Sequence, residues 1–379
     1  MSIAEIVASL SRADDESKMS ELSEVALSQL KNFKEKIDTH LHDYLSEKST
    51  EADKVAPEAK ELIDHVKNLT LRGGKRIRAA IFYYSYLAHN GKDRDEAIKA
   101  SMGMEMSETY LLTHDDIIDD DSLRRGGITI HADYEKICRE RFGSRIPPKH
   151  FGQSIAIMAG DVACAFSNEI IAIAKFKDYY KIRALVELNK IYTREVFGET
   201  LDVLIEVKED PTRDDVTLIQ SLKTAPYTFD SPMKLGAILA GANENQIRAL
   251  EAYTDPLGMA YQIQDDILGM FGSEEKTGKP TISDLREGKI TLLILDALKA
   301  STPKQAEIIK RSLGNKKVTH AHLEEVKKVV IETGALRKST QLAIKLATKG
   351  HDALEKMKLR KEGKDFLLGI AEYIVKREY

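Results

Sequence analysis

Apolar residues recur along most of the chain at intervals of three and four, the spacing of one face of an α-helix. Near the start, Leu22, Val25, Ala26 and Leu30 keep this step within SELSEVALSQLKNFKEKIDTHLHDYL. Residues 1–50 are therefore expected to form charged, peripheral helices. Farther on, IRAAIFYYSYLAH and ASMGMEMSETYLLTH read as helices, in a stretch without proline between Pro57 and Pro147. Leu185, Leu188, Tyr192 and Val196 repeat the step, and the tail from Ala306 alternates charge at helical spacing. Residues 133–152, DYEKICRERFGSRIPPKHFG, combine many charges with Pro147-Pro148 and read as an irregular surface connection. Asp210-Pro211 and Ser231-Pro232 mark further boundaries, while Pro256 inside a helical run predicts a kink. No repeat of solenoid length is evident. The expectation is an all-α protein, with peripheral helices over 1–50 and one large domain over 51–379.

Composition sharpens this picture. The 379 residues include only 22 Gly and 9 Pro, below the roughly 12% of average usage, which favours long helices over many short strands. A net charge of −4, from 57 basic and 61 acidic residues, excludes a nucleic-acid binder that relies on bulk positive potential. A hydrophobic content of 42% excludes disorder as the main state. The two cysteines, Cys138 and Cys164, give no disulfide framework and no Cys-rich zinc site, and read as reduced thiols of a cytoplasmic protein. The first residues lack the basic start and unbroken apolar run of a signal peptide. No run approaches 18 uninterrupted apolar residues, so stable membrane insertion is not expected.

The candidate chemistry is acidic. HDDIIDDDSLRRGG, residues 114–127, places Asp115, Asp116, Asp119, Asp120 and Asp121 within seven positions. On a helix, residues four apart lie about 40° apart around the axis, so Asp115 and Asp119 share a face with Asp116 beside them. Unpaired like charges at this spacing repel, and the apolar segment ETYLLTH runs directly into them, which suggests acid delivered to a cavity that holds cations. Oxygen ligands without Cys suit Mg²⁺, which keeps waters and bridges to phosphates. The spacing does not fit an EF-hand loop. A solvated acidic helix end is the bland alternative. A second apolar helix, YQIQDDILGMFG, again ends in paired acids, Asp265 and Asp266, with Lys276, Lys279 and Lys289 following. Separate cationic elements are Gly73-Gly74-Lys75-Arg76-Ile77-Arg78, Arg124-Arg125 and Lys223-Thr224. Lys75 and Arg78 share a helix face if that helix starts after Gly74. Together these suit a divided site for a polyanion, metal on one side and Lys or Arg on the other.

GGKRIR, HDDIIDDDSLRRG, AGD, GETLD, KT and QDDILGMFG, with TGK and EGK, resemble in order the trans-isoprenyl diphosphate synthase (polyprenyl synthetase) family, over roughly residues 60–300. The resemblance implies the isoprenoid synthase fold, a bundle of mostly antiparallel helices around a central cavity, usually as a homodimer. It implies that an allylic diphosphate ionises and that isopentenyl diphosphate attacks the cation. Asp115, Asp119 and Asp265 would ligate Mg²⁺, three ions per active site, supported by Asp116 and Asp266. Arg124, Lys223 and Lys279 would hold the allylic diphosphate, with Lys289 a further substrate-binding residue. Lys75, Arg78 and Arg125 would hold isopentenyl diphosphate. Thr224 and Gln262 would set oxygen dipoles near the cation.

Three departures from the family pattern stand out. Gly269 replaces the last Asp of the second motif; a water could take its place. Glu108, seven residues before Asp115, is an acid where many members carry His or Gln; pairing with Arg78 would occupy it. The usual GQxxD reads Gly198-Glu199-Thr200-Leu201-Asp202. For product length, Tyr110 and Leu111, five and four residues before Asp115, resemble the pattern of geranylgeranyl diphosphate synthases. A farnesyl or longer polyprenyl diphosphate synthase and a catalytically weak subunit of a heteromeric synthase are the alternatives. A class I terpene synthase has no second diphosphate for Lys75, Arg78 and Arg125 to hold.

Overall fold

The structure, a computed structural model, describes residues 21–143, 145–223, 226–272 and 281–376. It is all-α apart from a two-stranded ribbon, Leu123–Arg124 with Gly127–Ile128. The described residues fall into two compact units. One comprises 28–186 and 235–241, the other 21–27, 187–234 and 242–376.

In the first unit the helix Ile77–Ala88 is mostly apolar and buried at every position but Arg78, with Ile81 and Phe82 inaccessible to solvent. Truncating Phe82 would cost about 3–5 kcal/mol by the usual large-to-small penalty. Gly236 lets the backbone of its helix meet this one, since a Cβ there would lie 2.1 Å from the Phe82 carbonyl oxygen. Residues 28–53 of the first described helix, Glu21–Asp53, bury Phe33, Ile37, Leu41 and Leu45 at a four-residue step in the same unit. The helix Arg94–Ile118 begins at Asp93, whose carboxylate caps the Glu96 amide, with Asp95 and Glu96 in the first turn where the dipole favours acid. It packs on Pro148–Ile173 through small and hydroxyl residues: Ser107 and Ser167 bond each other at 2.8 Å, and Ser167 also donates to the Gly103 carbonyl.

Pro148–Ile173 is, among the described residues, one helix long and apolar enough by length and composition to cross a membrane. Here it packs on Arg94–Ile118 and Ile130–Arg141.

The connection expected over residues 133–152 is mostly helix. Ile130–Arg141 buries Ile130, Tyr134 and Cys138 four residues apart, while Arg139 and Glu135 pair outside at 2.5 Å. The charges had hidden a narrow apolar stripe. Pro148 does not break the chain either: it takes the first helical position, where its missing N–H costs nothing.

The second unit is centred on the helix Glu251–Phe271, which continues through Pro256; the interruption falls at Leu250, just before its start. Ile263, Ile267 and Met270 on this helix join Val216, Ile219, Leu285, Leu293 and Val326 in one apolar cluster. Asp210-Pro211 lies between helices ending at Glu206 and beginning at Arg213, and Ser231-Pro232 opens Ser231–Leu239 directly after a π-turn, Pro226–Asp230. The last four described helices lie between Pro303 and Lys376.

Candidate active site

The first acidic group sits at the C-terminal end of Arg94–Ile118, with Asp119 as its cap and Asp120 in a left-handed conformation, φ 57°. This is the negative end of the helix dipole, where carboxylates are disfavoured unless cations neutralise them. Arg124 provides part of that charge. Its guanidinium is buried; Nε donates to Asp116 Oδ1 at 2.6 Å, and Nη2, in ion-pair contact with the same oxygen at 2.5 Å, donates to Asp121 at 3.1 Å. Asp115 lies 3.6 Å away, and Lys149 pairs with Asp120 at 2.8 Å. Burial nevertheless pushes the Asp116 carboxyl up to about 6, against the pull of Arg124. Its Oδ2 has no hydrogen-bond partner among the described residues.

A tight turn aims both arginines. The ribbon pairs Leu123 with Ile128 and Arg124 with Gly127, leaving Arg125 and Gly126 as a two-residue loop with φ of 52° and 72°. Positive φ at both loop positions is what a type I′ hairpin needs. Arg124 thereby returns to Asp116, while Arg125 reaches Glu108 at 3.3 Å; Arg78 meets the other Glu108 oxygen at 3.0 Å. The two arginines expected to hold isopentenyl diphosphate thus share an internal acid. Arg125 crosses the glycine loop, its guanidinium 3.4 Å from where a Gly74 side chain would begin.

Lys75 is not on a helix face with Arg78. Gly73, Gly74 and Arg76 all have positive φ, so the helix starts only at Ile77 and Lys75 is exposed in the loop. Arg76 is buried and ties the loop down through Asp38 and Glu105, each at 2.7 Å, and the Thr70 carbonyl. Tyr110 and Leu111 are half-buried on Arg94–Ile118, and the Tyr110 ring meets His114 edge-on at 5.0 Å.

The second acidic group lies near the C-terminal end of Glu251–Phe271. Asp266 accepts hydrogen bonds from two carboxamides, Gln262 at 2.7 Å and Gln220 at 3.1 Å. Its carboxyl is pushed well above the usual carboxylate range, first by burial; the amide of Gln262 opposes this, and Asp265, Asp284 and Asp202 add to it. Asp265, next to it, is exposed. Lys223, capping Arg213–Leu222, pairs with Glu199 at 2.5 Å and Asp202 at 2.9 Å. Lys289 pairs with Glu287 at 3.0 Å. Thr224, Lys276 and Lys279 lie outside the described residues.

The first unit therefore gathers Asp115, Asp116, Asp119, Arg124 and, through Glu108, Arg78 and Arg125. The second gathers Gln262, Asp265 and Asp266. Sequence reasoning singled out no role for Asp121, Glu199, Asp202, Gln220 or Asp284. The GETLD spacing was the available signal for Glu199 and Asp202; for Gln220 and Asp284 there was none.

Each donor set fits a hard divalent cation, being all oxygen and crowded with like charge. Buried acceptors without a donor among the described residues point the same way, namely Asp116 Oδ2 and Gln220 Oε1. A helical protein with acid-tipped helices and paired arginines is thus defined in its chemistry. Residues 59–330 match the polyprenyl synthetase family, and the chain belongs to it.

The chain is 33% identical to a geranylgeranyl diphosphate synthase of Saccharolobus solfataricus, over 77% of this chain and 81% of that one. It is 31% identical to a short chain isoprenyl diphosphate synthase of Methanocaldococcus jannaschii, over 78% of this chain and 80% of that one. A solved geranylgeranyl pyrophosphate synthase of Corynebacterium glutamicum, complexed with isoprenyl diphosphate and magnesium, is similar with a TM-score of 0.83 and 28% identity, covering 95% and 99% of the two chains.

Proposed function

We propose that this chain is a Mg²⁺-dependent prenyltransferase that joins isopentenyl diphosphate to an allylic diphosphate and releases geranylgeranyl diphosphate. The observation that carries the reading is the Asp115–Asp116–Asp119 group on one helix end with Arg124 already bonded to Asp116. Asp115, Asp119 and Asp265 would hold Mg²⁺, which neutralises diphosphate charge as the allylic C–O bond breaks. Arg124 and Lys223 would bind the departing diphosphate. Glu199 and Asp202 keep the Lys223 ammonium in place until substrate arrives. Lys75, Arg78 and Arg125 would hold isopentenyl diphosphate, and the released diphosphate would take the final proton. No side-chain nucleophile is needed. A homodimer in the cytoplasm, with residues 51–379 as the catalytic region, completes the proposal.

The deciding experiment incubates the purified chain with Mg²⁺, isopentenyl diphosphate and allylic primers, and separates the labelled products by chromatography. A twenty-carbon product is expected. Tyr110→Ala should lengthen it by one or more isoprene units; an unchanged product profile would remove Tyr110 as the floor of the chain-length cavity.

A second reading rests on Glu108. An acid bonded to both Arg78 and Arg125 competes with any diphosphate for them, as in a subunit that relies on a partner for isopentenyl diphosphate. Glu108→Gln tests it. As a synthase in its own right, the variant should show a KM for isopentenyl diphosphate lower by about 2- to 5-fold, the size of one partly exposed ion pair. No product from the wild-type chain with any primer, restored by a partner chain, would favour the subunit.

A further inference from the structure

Gly269 occupies the place where the second acidic motif usually carries its last Asp, and the structure shows what fills the space. A Cβ on residue 269 would lie 2.3 Å from Asp284 Oδ2 and 3.4 Å from its Cγ. Asp284 belongs to a different helix, Ser283–Glu287, so its carboxylate reaches the side-chain position that residue 269 leaves open. Glycine inside a helix is destabilising relative to alanine; here the close approach of that carboxylate accounts for it.

The surroundings point to a cation. Asp284 adds its negative charge to those of Asp265 and Asp202 around Asp266. Gln220 is only 6% exposed and donates one N–H to Asp266 at 3.1 Å, yet its carbonyl oxygen has no hydrogen-bond donor among the described residues. A buried acceptor left open beside several carboxylates is what a hydrated divalent ion would satisfy, through its water protons on the amide oxygen and its charge on the acids.

We propose that Asp284 supplies, from the Ser283–Glu287 helix, the carboxylate that the second motif lacks at residue 269, and so helps hold the divalent cation of Asp265 and Asp266. This rests on the Mg²⁺-dependent reading above. The site keeps its full set of acids, but the last comes from fifteen residues downstream instead of from the same helix turn.

The test is Mn²⁺ binding, followed by electron paramagnetic resonance in the presence of inorganic diphosphate, with circular dichroism to confirm folding. Asp284→Asn, which preserves shape, should weaken Mn²⁺ by about tenfold or more, in the range seen for supporting ligands. Asp284→Ala should do the same, and the exchange Gly269→Asp with Asp284→Ala should recover affinity to within a few-fold of wild type. Wild-type binding in Asp284→Asn, or an exchange variant no better than Asp284→Ala, overturns the proposal while leaving the enzyme reading intact. A wild-type chain that binds no Mn²⁺ with diphosphate overturns both.

Discussion

The two acidic helix ends solve the same electrostatic problem with different partners. At the end of Arg94–Ile118, Asp116 faces a guanidinium that donates to it through Nε and also reaches Asp121. Near the end of Glu251–Phe271, Asp266 faces two carboxamides, which donate hydrogen bonds but carry no charge. The first carboxyl is held at about 6, with Arg124 opposing its burial, while the second is pushed well above its usual range with neighbouring acids reinforcing the shift. Among the described residues, the buried acid of one end is paired with a cation and that of the other is bonded to amides. A protein-supplied charge fixes geometry before substrate binds; a borrowed one makes assembly conditional on metal.

The largest effect that can break this comparison is loss of a ligand. Asp115→Ala and Asp265→Ala should each lower kcat by on the order of 10³-fold, as when a main electrostatic stabiliser is removed, with folding unchanged by circular dichroism. Retained turnover in either would remove that end from the chemistry. Arg124→Gln makes the first end resemble the second by exchanging a cation for an amide. We expect kcat to fall by roughly 10²-fold while Mg²⁺ still stabilises the protein; an unaltered kcat would reduce Arg124 to packing.

The smallest effect concerns pH. A carboxyl raised in the folded state adds stability that is complete below its unfolded pKa near 4 and is lost as pH climbs through the folded value, about 6 for Asp116. Asp266 has the same sign. Metal relieves this loss, so Mg²⁺ with diphosphate should raise Tm more at pH 8 than at pH 5, by roughly 2–4 °C in a scanning calorimeter. Asp266→Asn should narrow that difference. Equal shifts at both pH values would contradict the contrast between the two ends.

The helical class was legible because apolar periodicity survives in nearly every segment. It failed at Ile130–Arg141, where the buried stripe of Ile130, Tyr134 and Cys138 was outnumbered by charges, and where Pro147-Pro148 looked like a break instead of a helix start. The shared helix face of Lys75 and Arg78 depended on a helix starting after Gly74; left-handed Arg76 delays that start to Ile77, a backbone choice that residue type does not announce. The paired aspartates were legible, since acids crowded at one helix end are costly without a purpose. Their partners were not: Gln220 meets Asp266 across 46 positions of chain, and Asp284 faces Gly269 from another helix. Contacts of that kind arise from tertiary packing, which spacing along one helix does not encode.

The Arg125-Gly126 turn has a consequence for how this protein can vary. Two successive arginines, one ending a strand and one bent into the loop, reach acids eight and seventeen positions upstream. Their targets differ because the ribbon is in register, not because the side chains do. Inserting or deleting a single uncharged residue between Ser122 and Thr129 would preserve every charge yet cross the wiring of the arginines, making this short hairpin far less tolerant of length change than of substitution.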